Sequence, residues 1–383
     1  MLEFGSSKIK YSFIISCIAL TLMGLSSSIP IPFYSTYQSL YNITDSVLSI
    51  STFFYFIGDV IGLIFLARLS DYFGRKPIME LTLITALFGS IVFIFINGSS
   101  LLVLGRLIQG ISCGISVSSI QTYVLDVSPK NSHLGIILSA NLPTFGFAIG
   151  SLFSGLFVDI YDYMFSWVFF IVIIMFLISI VLVFFCEETV GYKKFSLSYL
   201  KPKISIPNNI RPFILISIVL FISTYTLNGF YLTFSSSISL FYFNYSSKLV
   251  AAIVYTSVLI PQIFGSVLIN RLGSRKGILY GLLIFAFSMI FVNISIIKNY
   301  FGLFLVFNVI AALFCGLCFT ATMNNLLDKT SISNRAGVMA TIYLMTDGGC
   351  ALSNIIISSN VDYIGLVNVL LIYNLFLFIA FVF

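Results

Sequence analysis

The chain has 383 residues, of which 59% are hydrophobic and only 8% charged, with a mean hydropathy of +1.09 and a formal net charge of +6. A soluble domain of this length needs far more polar surface, so the composition excludes a soluble protein and places the chain in the membrane class. The positive balance fits loops facing an anionic lipid leaflet and is no evidence for nucleic-acid binding.

In chain order, twelve apolar runs long enough to cross a bilayer as helices are predicted, at about 12–31, 46–69, 78–97, 100–125, 135–157, 164–186, 212–236, 248–269, 277–297, 301–326, 336–358 and 364–383. They are too long for barrel strands, which cross in about 9–11 residues. The first run lacks a small-residue cleavage site and reads as an uncleaved span rather than a signal peptide. With the N-terminus on the cytoplasmic side, 16 of the 19 basic residues fall in inside segments and only Lys248 and Lys298 in outside loops, while Arg106 lies within span 4. That asymmetry predicts a multi-pass protein of the cell membrane with both termini cytoplasmic.

Between Cys186 and Pro212 the chain turns polar and basic, with Pro202, Pro207 and Pro212, so 187–211 is expected to be a cytoplasmic linker. It separates an N-terminal six-helix bundle, 1–186, from a C-terminal one, 212–383. The halves repeat each other. The charged turn Ala67-Arg68-Leu69-Ser70-Asp71-Tyr72-Phe73-Gly74-Arg75-Lys76 returns as Asn270-Arg271-Leu272-Gly273-Ser274-Arg275-Lys276. Asp126, ending span 4, has a counterpart in Asp328, ending span 10. Two motifs at nearly one common offset indicate a duplicated, parallel-repeat transporter architecture.

Single residues are weighed on the same grounds. The six cysteines are scattered apart from Cys315 and Cys318, which lie inside an apolar helix and read as small packing residues. The lone His133 is expected in a cytoplasmic turn. No metal, nucleotide or nucleophile motif stands out, so no cofactor and no metal are expected. Asp59 in span 2 and Asp347 in span 11 are intramembrane acids, which by their insertion cost are candidates for a functional proton site, with a neutral structural carboxyl as the alternative. Arg106, Gln109, Cys113 and Ser116 share one face of span 4. Arg106 either faces a cavity or snorkels toward the turn 97–100. Gly58 and Gly62 on span 2, and Gly146, Gly150 and Gly155 on span 5, are expected to permit close helix packing.

The chain resembles the major facilitator superfamily along essentially its whole length. Leu69, Asp71, Gly74, Arg75 and Lys76 match the family's motif after span 2, with Ala67 and Tyr72 as departures. Gly105-Arg106-Leu107-Ile108-Gln109-Gly110 matches its span-4 element. Gly146 to Gly155 resembles the span-5 element of proton-coupled drug antiporters, with Ser151 and Ser154 replacing a proline and a glycine. The resemblance implies an all-α membrane fold of two pseudo-symmetric six-helix bundles. It implies that Asp71, Gly74, Arg75, Lys76 and Asp126 form an inner gate latch, and that Arg106 serves proton coupling, to which the residues themselves add Asp59 and Asp347. It also implies that spans 1, 4, 7 and 10 line a substrate cavity, where Tyr34, Gln109, Asn228 and Asn308 are candidates.

The expected activity is therefore alternating-access transport by a monomer in the lipid bilayer, not enzymatic catalysis. The leading reading is proton-coupled efflux of small amphipathic or toxic compounds. Proton-coupled import of a metabolite such as an organic acid or sugar is the alternative, and a channel or membrane-embedded enzyme is the alternative from another class.

Overall fold

The computed structural model describes residues 6–66, 69–129, 134–161, 165–191, 206–331 and 334–382, all helices, turns and connecting loops. Ala67, Arg68, Lys130, His133 and the linker stretch 192–205 lie outside the described residues. Among the described residues, ten helices are long and apolar enough to cross a membrane. The first six are Ser7–Tyr41 (span 1), Asp45–Leu66 (span 2), Arg75–Ile94 (span 3), Ser99–Asp126 (span 4), Leu134–Ile160 (span 5) and Phe165–Phe184 (span 6). The later ones are Arg211–Tyr242 (span 7), Lys248–Ile297, Phe301–Leu327 (span 10) and Gly337–Ser358 (span 11). The 50-residue helix Lys248–Ile297 is broken at Gly273, whose φ of 72° and ψ of 168° are not helical, so it serves as spans 8 and 9. The shorter apolar helix Leu366–Val382 supplies span 12.

The structure forms two compact units, Met1–Pro30 with Phe54–Pro202 and Ile31–Phe53 with Lys203–Phe383. The second therefore includes a segment that the sequence reading assigns to the first bundle. Hydrogen bonds explain the assignment. The Ser35 amide donates to Ser236 Oγ at 3.1 Å, Ser236 Oγ donates to the Pro32 carbonyl at 3.1 Å, and Thr233 bonds Thr52 at 2.8 Å. Seven consecutive residues of span 7, Phe230 to Ser236, are buried, so that helix turns no face to solvent or lipid over this stretch.

Packing inside the units repeats with a shift of six spans. In unit 1, span 1 packs on span 5, span 2 on span 4 and span 3 on span 6. In unit 2, span 7 packs on span 11, span 8 on span 10 and span 9 on span 12. The span 2–4 crossing is built on glycine. A methyl group on Gly110 or Gly114 would collide with the carbonyl oxygen of Tyr55 or Asp59, and one on Gly58 or Gly62 with the backbone of Leu107 or Ile111. The span 8–10 crossing uses the same device, with Gly265 against the Leu313 carbonyl and Gly316 against that of Gln262. Small residues let helices approach until their backbones touch, which replaces the hydrophobic drive that lipid does not supply. Gly146 and Gly150 approach the Thr21 and Leu25 carbonyls of span 1, and Gly155 is buried. Cys318 packs directly on Gly281, where a Cβ would stand 2.9 Å from its Cβ.

Candidate functional site

Three polar centres stand out against the apolar packing. The first is in unit 1, at the span 2–4 crossing. The glycine contacts bring the Asp59 turn of span 2 against Gly110 and Gly114, and so set Asp59 next to the face of span 4 that carries Cys113. Arg106 on the same face is fully buried. Its Nη1 donates to the Ser27 carbonyl at 2.6 Å and to Gln109 Oε1 at 3.1 Å, and Gln109 Nε2 donates to the Ser26 carbonyl at 2.9 Å. The guanidinium carbon lies 5.6 Å from the centre of the Tyr55 ring, within cation–π range. Tyr55 Oη donates to Cys113 Sγ at 3.3 Å, and Cys113 Sγ is 3.2 Å from Ser27 Oγ. Tyr55 and Cys113 are each in electrostatic reach of both Asp59 and Arg106. The charge of Arg106 thus meets main-chain and side-chain oxygens of span 1 and span 4. The carbonyls that receive it are available because Ser26 and Ser27 fall near the end of the helix Ser7–Ser28, where carbonyls lose their intrahelical partners.

The second centre is the turn between spans 2 and 3. Gly74 has φ 97° and ψ 157°, and the turn it makes starts span 3 at Arg75. Arg75, with a 13% exposed side chain, pairs with Asp71 at 2.7 Å and Asp126 at 3.2 Å, and donates to Ser70 Oγ at 2.7 Å. Glu188, which sequence reasoning did not single out, accepts the amides of Arg75 at 2.9 Å and Lys76 at 3.0 Å. A carboxylate there satisfies the first free amides of a 20-residue helix and meets the positive end of its dipole. Thr189 Oγ1 donates to Asp126 Oδ2 at 3.1 Å, and Lys76 Nζ donates to the Phe184 carbonyl. All five residues expected at the latch are therefore in one cluster, and Glu188 joins it. Gly273 repeats the backbone of Gly74 without the acid, since nothing lies within 4 Å of where its side chain would start. The sequence signal for Glu188 is its place, in an acidic pair that follows span 6.

Gly74→Ala is expected to fail twice over, because the positive φ opposes an L side chain and a Cβ would collide with the Glu188 carboxylate. The backbone term alone is about 1–2 kcal/mol. A thermal melt of the purified protein is expected to show a clear loss for Gly74→Ala and a smaller one for Gly273→Ala, where the backbone term acts alone.

The third centre is in unit 2. Gln262 Nε2 donates to Asn228 Oδ1 at 2.8 Å, and Asn308 Nδ2 donates to Ser257 Oγ at 2.7 Å. Tyr231 is beside Asn308, and both are fully buried. Asp347 is 4% exposed and in electrostatic reach of Cys350. Tyr34 is fully buried in the Ile31–Phe53 segment. The structure thus brings Gln109, Arg106 and Asp59 together in unit 1. It sets Asn228, Asn308, Asp347 and Tyr34 in unit 2, with Gln262 and Ser257 as partners that sequence reasoning missed. No group of three or more metal-ligating side chains occurs among the described residues.

Comparison with known proteins follows this geometry. Residues 16–260, more than half of the chain, match the family described as Major Facilitator Superfamily. An uncharacterized transporter of Rickettsia bellii is 30% identical over 134 residues, 34% of this chain and 32% of that protein. Sugar transporter ERD6-like 15 of Arabidopsis thaliana is 37% identical over 75 residues, 20% of this chain and 16% of its own length. The chain therefore aligns with about a third or less of these relatives. Among solved structures, the xylose transporter XylE from E. coli, in a partially occluded inward open conformation, superimposes with a TM-score of 0.76 at 12% identity, over 99% of this chain and 97% of that one. The human organic anion transporter MFSD10 gives 0.68 at 14% identity, over 98% and 99%. At these identities the superpositions speak for the fold alone.

Proposed function

We propose, for a chain that belongs to the major facilitator superfamily, that it is a proton-coupled secondary transporter exporting small amphipathic compounds across the cell membrane by alternating access. In this reading both termini are cytoplasmic, the bundles 1–186 and 212–383 rock about the linker 187–211, and the protein works as a monomer. The observation that supports it most directly is the Arg106–Gln109–Tyr55–Cys113–Asp59 cluster. A charge at mid-membrane costs about 2.5–3.5 kcal/mol on insertion scales, a cost that accompanies transport and proton-relay roles. Here an acid and a base share two polarisable neighbours in one buried centre, which suits a carboxyl that gains and loses a proton while a fixed positive charge stays beside it. Asp347 is the second candidate carrier. One proton moving through 100 mV supplies about 2.3 kcal/mol. Export is favoured by the span-5 glycines, whose contact with span 1 fits the antiporter-type element.

The alternative is proton-linked import of a polar metabolite. The hydrogen-bonded amides Asn228, Gln262 and Asn308 in unit 2 favour it, and so do the relatives named as sugar transporters. Expression in an efflux-deficient cell separates the two. Export predicts raised resistance to at least one amphipathic compound of a panel, lost when a protonophore collapses the gradient. Unchanged resistance, together with sugar or organic-acid uptake driven by an inward proton gradient, would transfer the assignment to the importer.

A further inference from the structure

Within unit 1, the start of span 1 meets the end of span 6, and a cavity of about 300 Å³ opens there, lined by Ser7, Lys8, Tyr11 and Phe185. Its span 6 wall is fixed by the main chain of residues 182–188. The Tyr11 hydroxyl donates to the Leu182 carbonyl at 3.0 Å, Lys76 Nζ to the Phe184 carbonyl, and the Glu187 amide to Ser12 Oγ at 3.0 Å. Phe185 stands among these ties, exposed and edge-on to the exposed ring of Phe184 at 5.7 Å. The lining holds one base and no acid. Lys76 lies over the Phe184 ring at 4.8 Å, and Glu188 is engaged by the amides of span 3. Glu187, outside the lining, has its amide on Ser12 and its carbonyl on Tyr123. Lys8 and Lys10 are exposed, and neither side chain has a partner among the described residues. Two apolar faces lead away from the cavity. Ile14 and Ile18 are three and seven residues after Tyr11, on its side of span 1, and both are exposed. Val181 and Ile178 are four and seven residues before Phe185, on its side of span 6, and are exposed likewise.

We propose that this cavity and the apolar faces beside it bind one anionic phospholipid, its phosphate on Lys8 and Ser7 and an acyl chain against Tyr11, Ile14 and Ile18 on one side and Phe185 and Val181 on the other. The two parts of such a lipid answer the two parts of the site. A soluble anion would leave the apolar faces uncovered, and a lipid without net charge would leave two lysines unmatched, whereas basic side chains at the end of a span attract acidic headgroups. An aromatic wall at that level is the usual anchor at a membrane–water boundary. Because Phe185 belongs to the tied stretch 182–188, a lipid seated on it braces the segment that carries Glu188 to the start of span 3. From the proposed function the inference takes only the cytoplasmic N-terminus, which makes the leaflet the inner one. Binding itself depends neither on the cargo nor on the direction of transport.

The test uses the purified full chain in detergent, with phosphatidylglycerol and phosphatidylcholine as probes, read by native mass spectrometry and by thermal melts. Phosphatidylglycerol is expected to be retained over phosphatidylcholine and to raise the melting temperature. Lys8→Gln is expected to weaken that binding about fivefold, with Lys8→Arg restoring it and Phe185→Ala weakening both lipids. Lys298→Gln, at an exposed lysine of unit 2, is the control and should change nothing, and melts without lipid confirm that each variant is folded. Equal retention of the two lipids, or equal binding by Lys8→Gln and Lys298→Gln, would overturn the site. An equal rise in melting temperature with inorganic phosphate alone would overturn the lipid as its occupant, and a lipid-free dimer in the mass spectrum would hand the apolar faces to a second copy. None of these results touches the transport reading, and a failure of gradient-driven export would leave the lipid site standing.

Discussion

Asp59→Asn is expected to abolish flux driven by a pH gradient while sparing exchange of substrate across the membrane. The asparagine amide has the size of the carboxyl, and the main chain of residue 59 stays packed on Gly110 and Gly114 of span 4. What it cannot do is take up and release a proton. Exchange needs only that the loaded carrier reorient, whereas net uphill movement needs the proton to ride with or against the substrate. The loss is large. At 100 mV, 2.3 kcal/mol per proton corresponds to an accumulation ratio of about fifty-fold, which collapses to unity without coupling. The measurement is gradient-driven flux against equilibrium exchange in proteoliposomes, with Asp347→Asn beside it. Gradient-driven flux that survives in both single variants would remove the two acids from the coupling role.

Gly110→Ala is the second large effect. The added methyl group meets the Tyr55 carbonyl oxygen and the Asp59 amide, which are backbone and cannot swing away. Spans 2 and 4 must separate, and the loss spreads along the crossing to Gly58, Gly62 and Gly114. Overpacking in a well-packed interior costs about 1–3 kcal/mol and at times more. Transport is expected to fall with stability, because the same displacement pulls Asp59 and Tyr55 from Cys113. Gly98→Ala, at a site with open space around it, is the control and should leave the melting temperature unchanged. A Gly110→Ala protein as stable as that control would show that the crossing can relax.

The spans were legible because hydropathy reports burial in lipid directly, and the repeat was legible because its turn is charged. The turn glycines could also be read from their place, as Gly74 and Gly273 adopt nearly the same left-handed, extended backbone. Partners across long sequence distances were not legible. Glu188 reaches the start of span 3 over 113 residues, and no local periodicity encodes that contact. Gln262 and Ser257 look like ordinary polar residues of an apolar helix until Asn228 and Asn308 are placed against them. The attachment of Ile31–Phe53 to the second unit was hidden for the same reason. It depends on Ser35, Thr52 and Thr233, small hydroxyl residues whose sequence pattern does not distinguish a hydrogen bond between helices from one to their own backbone.

The position of Glu188 also has a consequence for biogenesis. Synthesis runs from the N-terminus, so spans 3, 4 and 5 leave the ribosome before the acid that caps span 3 has been translated. Until then the amides of Arg75 and Lys76 have only water or lipid headgroups as partners, and the Asp71–Lys76 turn is held by its own short-range ion pair with Asp71. The cap closes when the chain emerging after span 6 folds back, so the first half completes this edge only once all six of its helices have been inserted.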